Sequence, residues 1–513
     1  MLPVITLLLA FAPALSQDPP NVILFLVDDM GWQDTSVPFH TETTALNRRY
    51  KTPAMERMAA QGMKFSQAYV SSICSPTRVS LMTGLNAATH RVTNWTLRKG
   101  IGTDSAHPRV TPPAWHVNGL SPVPDIPATI NVRALPSFLA DAGYHSIHVG
   151  KAHFGAIGTP GSDPLRLGFN VNIAGHAAGA PASYYGAHRF SQAGKQGKKE
   201  GSSVWDVPGL EAWHDKEVYL TEALTVEAAK AVRKAVEKQK PFFLYLAHYA
   251  VHTPLMTDSR FVEKYKDLHP REAAYASMIE GMDKSLGDIL DLLDELDVAK
   301  ETLVLFLSDN GGLTSYGRGG EPFTHNLPLS SGKGSAHEGG IRVPMLARWP
   351  GVVEAGSVCN TPVIAEDFLP TLTEIGGIPT PQQTEGVSFL KLLHGQKANN
   401  LLWKRSPRNL VWHQPNIWTN FYDRKGIGPH SILRRGDWKV VFYHDPGRNP
   451  RWELFNLATD IGEQKNMARA MPGKLAEMAT ILTRELKSRN AQRPKNKTTG
   501  KPINWPEESL PEH

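Results

Sequence analysis

Four polar clusters follow four short apolar runs in this chain. Asp28-Asp29 follows Val22–Val27, Gly150-Lys151-Ala152-His153 follows Ser146–Val149, His248-Tyr249-Ala250-Val251-His252 follows Phe242–Ala247, and Ser308-Asp309-Asn310-Gly311 follows Thr302–Leu307. Singly, an Asp-Asp pair is ordinarily a turn or helix cap, and Asp-Asn-Gly-Gly an ordinary tight turn. Their joint recurrence changes the reading. Asp28, Asp29, Asp309 and Asn310 form an all-oxygen donor set, suited to a hard divalent cation of the Ca²⁺ or Mg²⁺ type rather than zinc. Lys151, His153, His252 and Lys333 add positive charge and proton-transfer capacity, as a bound oxyanion with a leaving group in need of a proton requires. Cys74 opens the segment Cys74-Ser75-Pro76-Thr77-Arg78. It is one of two cysteines, and a bridge to Cys359 is the plain structural alternative to a chemical role.

These residues can meet only if the elements before them lie side by side. Short β-branched or aromatic runs alternate with longer amphipathic stretches, the pattern of an α/β fold: a large, mostly parallel sheet flanked by helices on both faces. Residues 133–142 are expected to be helical, as are two apolar stripes at helical spacing. One comprises Leu220, Leu224, Ala228, Ala231, Ala235 and Val236, the other Met278, Met282, Leu286, Ile289, Leu290 and Leu293. In an open parallel sheet ligands sit beyond the carboxyl ends of the strands, so the four clusters should converge on one crevice. After about residue 400 the pattern shifts. A smaller C-terminal α+β domain is expected over 401–487, with a strand at Trp438–Tyr443 and a helix over Lys474–Lys487. The catalytic domain then spans 18–400. Two irregular segments, His176–Val207 and Pro108–Pro127, are too long for simple connections and are expected as loops over the working face.

Composition narrows the function classes. With 513 residues, 41% hydrophobic and 20% charged, the chain can bury a large core, which excludes disorder. The net charge of +6 is too small for its length to argue for nucleic acid, and part of it falls in 488–513, expected as a basic, poorly structured tail. The apolar run Leu2–Leu15 is shorter than the roughly 20 residues that span a bilayer. It is read as a signal peptide, 1–17, cleaved near Gln17, so the protein is expected to be exported, periplasmic or secreted, with no stable membrane insertion.

Cys74-x-Pro-x-Arg78, continuing as Leu81-Met82-Thr83-Gly84, resembles the signature of the sulfatase family, the formylglycine-dependent type I branch of the alkaline phosphatase superfamily. Gly332-Lys333 with Glu338-Gly339-Gly340-Ile341-Arg342-Val343-Pro344 is similar to a second family block. The likeness runs in ordered motifs from Asn21 to about Pro350, and more loosely through Trp438-Lys439 and Trp452–Leu457. It implies that Cys74 is oxidised to formylglycine by a formylglycine-generating or equivalent maturase. One Ca²⁺, with Mg²⁺ as second choice, would be held by Asp28, Asp29, Asp309, Asn310 and the modified Cys74. Arg78 would hold the formylglycine hydroxyls, Lys151 and Lys333 would grip sulfate, His153 would contact the formylglycine, and His252 would face the bridging ester oxygen. The family usually reads Ala-Pro-His where this chain has Ala250-Val251-His252, with His248 as a nearby rival.

The implied reaction is hydrolysis of a sulfuric ester by S–O cleavage, through a formylglycine hydrate and a covalent sulfate–enzyme intermediate. A geminal diol supplies one oxygen to attack sulfur and a second whose deprotonation expels sulfate. His252 or Lys333 would protonate the departing alcohol, and His153 is a candidate base for the collapse. Export points to a sulfated saccharide, of galactose or hexosamine type, and Asn94, Trp95, Arg98, His116, His176, Tyr184, Tyr185 and His188 are candidate sugar contacts on the irregular segments. Two alternatives stand beside this. One is a phosphonate or phosphodiester hydrolase of the same superfamily, which tends to show Asp-His in place of Asp309-Asn310. The other is a non-catalytic saccharide-binding homologue.

Overall fold

The computed structural model describes residues 19–193, 203–314, 318–396, 407–419 and 424–511, and the expected signal segment lies outside them. Val22 to Val27 is wholly buried. Its side chains divide by parity: Ile23, Phe25 and Val27 join one hydrophobic cluster, Val22, Leu24 and Leu26 another on the opposite face. A strand without polar alternation therefore sits at the centre of a sheet covered on both sides. That sheet has nine strands among the described residues. They are β1 (Asn21–Val27), β2 (Met63–Tyr69), β3 (His145–Gly150), β4 (Val171–Ile173), β5 (Phe242–Ala247), β6 (Thr302–Ser308), β7 (Arg342–Arg348), β8 (Ser357–Cys359) and β9 (Val363–Ile364). The order is β8-β2-β7-β6-β1-β5-β3-β4, with β9 also on β2. All pairs are parallel except those of β7, which runs against both its neighbours.

The helices divide between the two faces as the apolar stripes require. Met55 and Met58 of α1 (Pro53–Gln61), Leu224 and Ala228 of α4 (Leu220–Glu237), and Met278 and Met282 of α5 (Pro270–Glu295) pack on one side. Leu81 of α2 (Cys74–Thr83), Leu139 of α3 (Leu135–Asp141) and Leu372 of α6 (Phe368–Ile375) pack on the other. Helix α4 ends at Glu237, ahead of Pro241.

Register brings the polar clusters into one row. Val27 pairs with Ser308, Leu26 with Ala247, and Ala247 with Gly150. Neighbouring strands lie about 4.8 Å apart, so the residues that follow these positions share one rim. Backbone bonds past the strand ends tie the rim together: Asp309 N donates to Val27 O (3.0 Å), Val251 N to Asp28 O (2.7 Å) and Lys151 N to Ala247 O (2.7 Å).

A second, antiparallel sheet follows: β10 (Asn409–Gln414), β11 (His430–Arg435), β12 (Trp438–Tyr443) and β13 (Trp452–Asn456). Val411, Leu433, Val440 and Leu454 face helix α7 (Pro472–Ser488), while Leu410, Trp412, Ile432 and Val441 face Tyr69, Ala336 and Ile341 of the large unit. The expected loose tail is a correction. Lys495–Asn496 pairs with Val110–Thr111, Ile503 is buried, and Gln492 O accepts from His413 Nε2 (2.7 Å). Arg493 of this segment and Lys487 at the end of α7 lie over the Trp505 ring, while Lys495, Lys497 and Lys501 are exposed. Among the described residues no helix is long and apolar enough to cross a membrane.

Candidate active site

Cys74 is the first residue of α2, a helix buried along its whole length. Arg78 follows four positions later and so lies on the same helix face, directed at the rim of β6. Its Nε donates to Asp309 Oδ2 (2.8 Å) and its Nη1 to Lys151 O (2.7 Å). Lys151 Nζ reaches Asp28 Oδ2 (2.5 Å) and Lys333 Nζ reaches Asp29 Oδ1 (2.5 Å). Three cations thus face three carboxylates, nearly all of them inaccessible to solvent.

The carboxylates are not satisfied by those cations alone. Asp28 Oδ1, Asp29 Oδ2 and Asn310 Oδ1 are buried with no hydrogen-bond partner. Asn310 Nδ2 donates to Asp29 Oδ1 (2.8 Å) and Gly311 O (3.0 Å), which fixes the amide so that its oxygen is the free end. Three orphaned acceptor oxygens in one buried cluster are costly unless something positive meets them. Ligand atoms of Asp28, Asp29 and His252 also lie within 4.8 Å of one another. The donor chemistry fits a hard divalent cation, which would leave a positive excess at the rim. Asp309 differs from its neighbours, being occupied by Arg78 and by the backbone N–H of Asp29 (3.3 Å).

Burial, then repulsion from Asp309, pushes the Asp28 carboxyl well above the usual carboxylate range. Burial works the same way on Asp29, but the charge of Lys333 outweighs it and holds Asp29 low. Lys333 keeps its proton: burial opposes its charge, and Asp29 more than restores it. Burial, aided by Lys333, takes His252 down to about 3, so this imidazole is neutral. His153 is lowered by burial and by Lys151. Burial also raises the Cys74 thiol. A buried thiol of raised pKa is a poor nucleophile, which sits badly with direct thiolate catalysis.

Local packing fixes the imidazoles. His153 Nε2 donates to Thr96 O (2.9 Å), leaving Nδ1 as a buried acceptor without a partner. A Cβ on Gly179 would meet the His153 ring at 2.3 Å, so only glycine fits there. His252 Nδ1 donates to Thr253 O (2.7 Å), with Nε2 3.7 Å from Asp29 Oδ2. His248 turns the other way, onto Ser285 Oγ (2.8 Å) and the Phe25 ring, which removes it as a rival. Asp29 and His153 both have left-handed backbone (φ 66° and 57°), a strained conformation of the kind that collects at functional sites.

These groups open onto a cleft of 330 Å³. Asp29, Cys74, His153, His252 and Lys333 are on its wall, with Asp28, Arg78, Lys151, Asp309 and Asn310 buried around them. Of the eight candidate sugar contacts, Trp95 alone lines it. Tyr184 is buried and braces the His252 loop, its Oη reaching Tyr249 O (2.6 Å) and His252 O (2.9 Å). Asn94 is buried against Asp104, His116 is bonded to His90 O, His176 to Tyr249 Oη, and His188 to Ser183 Oγ. Tyr185 lines a neighbouring hollow, and Arg98 is exposed on the strand-like contact with Ile157. The Pro108–Pro127 segment does not reach the cleft, because Val110–Thr111 is paired with the C-terminal segment. Residues missed by sequence reasoning include Trp205, Leu313, Trp418 and Thr419. Trp205 lies on the irregular segment expected over this face; Trp418 comes from beyond β10 and carries no local signal.

Cys74 and Cys359 are both free, so the disulfide reading falls. The sulfatase family model matches residues 20–378, and the model described as N-sulphoglucosamine sulphohydrolase, C-terminal, matches 332–492. The chain is 30% identical to an N-acetylgalactosamine-6-sulfatase of Homo sapiens over 84% of this chain and 80% of that one. It is 27% identical to a sulfatase of Formosa agariphila over 89% and 85%. Among solved structures it is similar to Ps i-CgsB in complex with k-i-k-neocarrahexaose, with a TM-score of 0.69, 26% identity and 92% of each chain covered.

Proposed function

Because this chain belongs to the sulfatase family, we propose that its substrate is a sulfated polysaccharide bearing the ester on a galactose- or hexosamine-type residue. The reaction itself is hydrolysis of a sulfuric ester, and the family's nucleophile is a formylglycine. The observation that carries the reading for this chain is the rim: orphaned Asp28, Asp29 and Asn310 oxygens beside Cys74, ringed by Arg78, Lys151 and Lys333. The saccharide is supported by relatives that act on N-acetylgalactosamine 6-sulfate, by name, and by one solved with a neocarrahexaose.

In this reading Asp28, Asp29, Asp309 and Asn310 would hold one Ca²⁺ together with the oxidised Cys74, and the bound ion would supply positive charge against the oxygens around sulfur. The formylglycine hydrate would attack sulfur through one oxygen as its alkoxide while the bond from sulfur to the sugar oxygen breaks, loss of the second hydroxyl's proton would re-form the aldehyde and release sulfate, and water would restore the hydrate. Lys151 and Lys333 hold two sulfate oxygens as fixed donors. Lys333, the protonated group on the cleft wall, delivers a proton to the departing sugar oxygen, and His252 Nε2, a neutral acceptor, then faces the hydroxyl so formed. His153 Nδ1, an unpaired acceptor, takes the proton from the second hydroxyl. Arg78 braces Asp309 and ties the start of α2 to the Lys151 backbone. The apolar run at 2–15 supports export, and a maturase would act on Cys74 in the same route.

Two measurements test this. Mass spectrometry of the Cys74 peptide from the native host should show sulfur replaced by a single oxygen on an aldehyde carbon. Aryl sulfate turnover should exceed that of an aryl phosphodiester, and chelation should abolish it until Ca²⁺ is restored. An unmodified thiol in active protein, or faster diester hydrolysis with Mn²⁺, sinks the proposal.

A further inference from the structure

Three tryptophans stand on the cleft above the nucleophile: Trp95, Trp205 and Trp418, each partly open to solvent. Trp95 and Trp205 lie 6.4 Å apart, inclined by 39°. Trp95 precedes Thr96, whose carbonyl holds His153, and Trp418 lies directly over Gly334, beside Lys333. The remaining lining outside the catalytic set is neutral: Gly179, Ala180, Thr253, Leu313 and Thr419. Among the described residues, the charged side chains on this wall are Asp29 and Lys333, and these hold each other.

Such a wall recognises faces, not charges. A pyranose whose C–H groups cluster on one side, as the axial hydroxyl of galactose arranges, finds indole surfaces to cover. Among the described residues, a hexuronate carboxylate would meet no cation on this wall other than Lys333, which Asp29 already holds, and it would lose its hydration without compensation. Resting on the sulfatase reading above, we infer that Trp95, Trp205 and Trp418 form a clamp that selects an uncharged galactose-type ring as the leaving group, and that Asp104 positions two of the three.

Asp104 lies behind the clamp. Its Oδ1 accepts from Asn94 Nδ2 (3.3 Å), Asn416 Nδ2 (2.9 Å) and Ile417 N (3.0 Å), and its Oδ2 from Trp115 Nε1 (2.9 Å). Asn94 adjoins Trp95 and Ile417 adjoins Trp418, so one carboxylate joins two chain segments more than 300 positions apart. Thr103 Oγ1 and Ser105 N add bonds to Trp95 O (2.5 Å) and Ile417 O (2.8 Å).

The test reads inhibition of 4-methylumbelliferyl sulfate turnover by galactose 6-sulfate and by iduronic acid 2-sulfate. Wild type should be inhibited at least tenfold better by the galactose ester. Trp418→Ala and Trp95→Ala should weaken that inhibition by about tenfold, Trp418→Phe should restore most of it, and Asp104→Asn should raise KM and Ki with the loss falling outside kcat. Equal Ki values in wild type and Trp418→Ala, or stronger inhibition by the iduronate, overturn the clamp. If protein carrying the oxidised Cys74 turns over no sulfate ester, the sulfatase reading fails separately. Tryptophan fluorescence then decides the clamp: quenching by galactose 6-sulfate that Trp418→Ala abolishes supports it, and no quenching refutes it.

Discussion

At the floor of the cleft Lys333 holds Asp29 ionised through one contact of 2.5 Å, in a place where burial alone would favour neutral groups, and the mechanism proposed above also gives it the proton for the leaving oxygen. Lys333→Ala removes a fixed donor to the charge developing on oxygen, a loss of roughly 10²–10³ in kcat. It also leaves Asp29 buried without its cation. The expected result is a kcat reduced on that scale, with the fraction of Cys74 oxidised unchanged by mass spectrometry. A normal rate would show that the ammonium serves only the carboxylate. At this scale the motif residues were legible because their chemistry is rare in combination. The Thr253-Pro254 pair after it already favours His252 over His248, and packing turns His248 away onto Ser285 Oγ.

At the scale of elements, the cleft depends on two short segments meeting at a glycine. Gly334 has φ +80°, and a Cβ there would come within 2.1 Å of the Trp418 ring. Alanine would be strained by its backbone and would push the indole off its seat. Gly334→Ala should therefore raise KM for a sulfated saccharide more than it lowers kcat, with a stability loss of about 1–2 kcal/mol, read by thermal unfolding. An unchanged KM would mean that Trp418 is not needed where it lies. Some strands were readable in advance, Phe242–Ala247 and Trp438–Tyr443 with the expected bounds, because apolar runs are local properties, whereas Met63–Tyr69 and Arg342–Arg348 were not expected. Trp418 was invisible for the opposite reason. Nothing in its own neighbourhood encodes the element across from it.

The whole molecule is held as one body by a buried seam between the catalytic unit and the second sheet. Trp412 Nε1 donates to Val70 O (2.8 Å), just ahead of the nucleophile helix, and Asn86 Nδ2 to Val411 O (2.8 Å). Glu338 takes Lys439 (2.9 Å) and Tyr69 Oη (2.7 Å), while His337 pairs with Glu453 (2.9 Å) and with Ser330 Oγ (2.9 Å). Burial opposes a charge on His337, but Glu463 and Glu453 raise its pKa above the ordinary 6.5. Because the folded value is the higher one, its stabilising contribution is complete below about pH 6.5 and is lost as pH rises through the raised value. His337→Gln should cost about 2–3 kcal/mol at pH 6, and less toward pH 9. A gap in thermal midpoint that stays constant with pH would remove the imidazolium from the seam.

The sequence by itself determined the reaction class, the buried strands and the residue types of the rim, because oxidisable cysteine, hard oxygen donors and lysines in ordered motifs admit little other chemistry. Only the tertiary structure decided which aromatic side chains line the cleft and that the C-terminal segment is docked. Those outcomes depend on contacts between segments hundreds of positions apart, and close packing selects among candidates that are equivalent in one dimension.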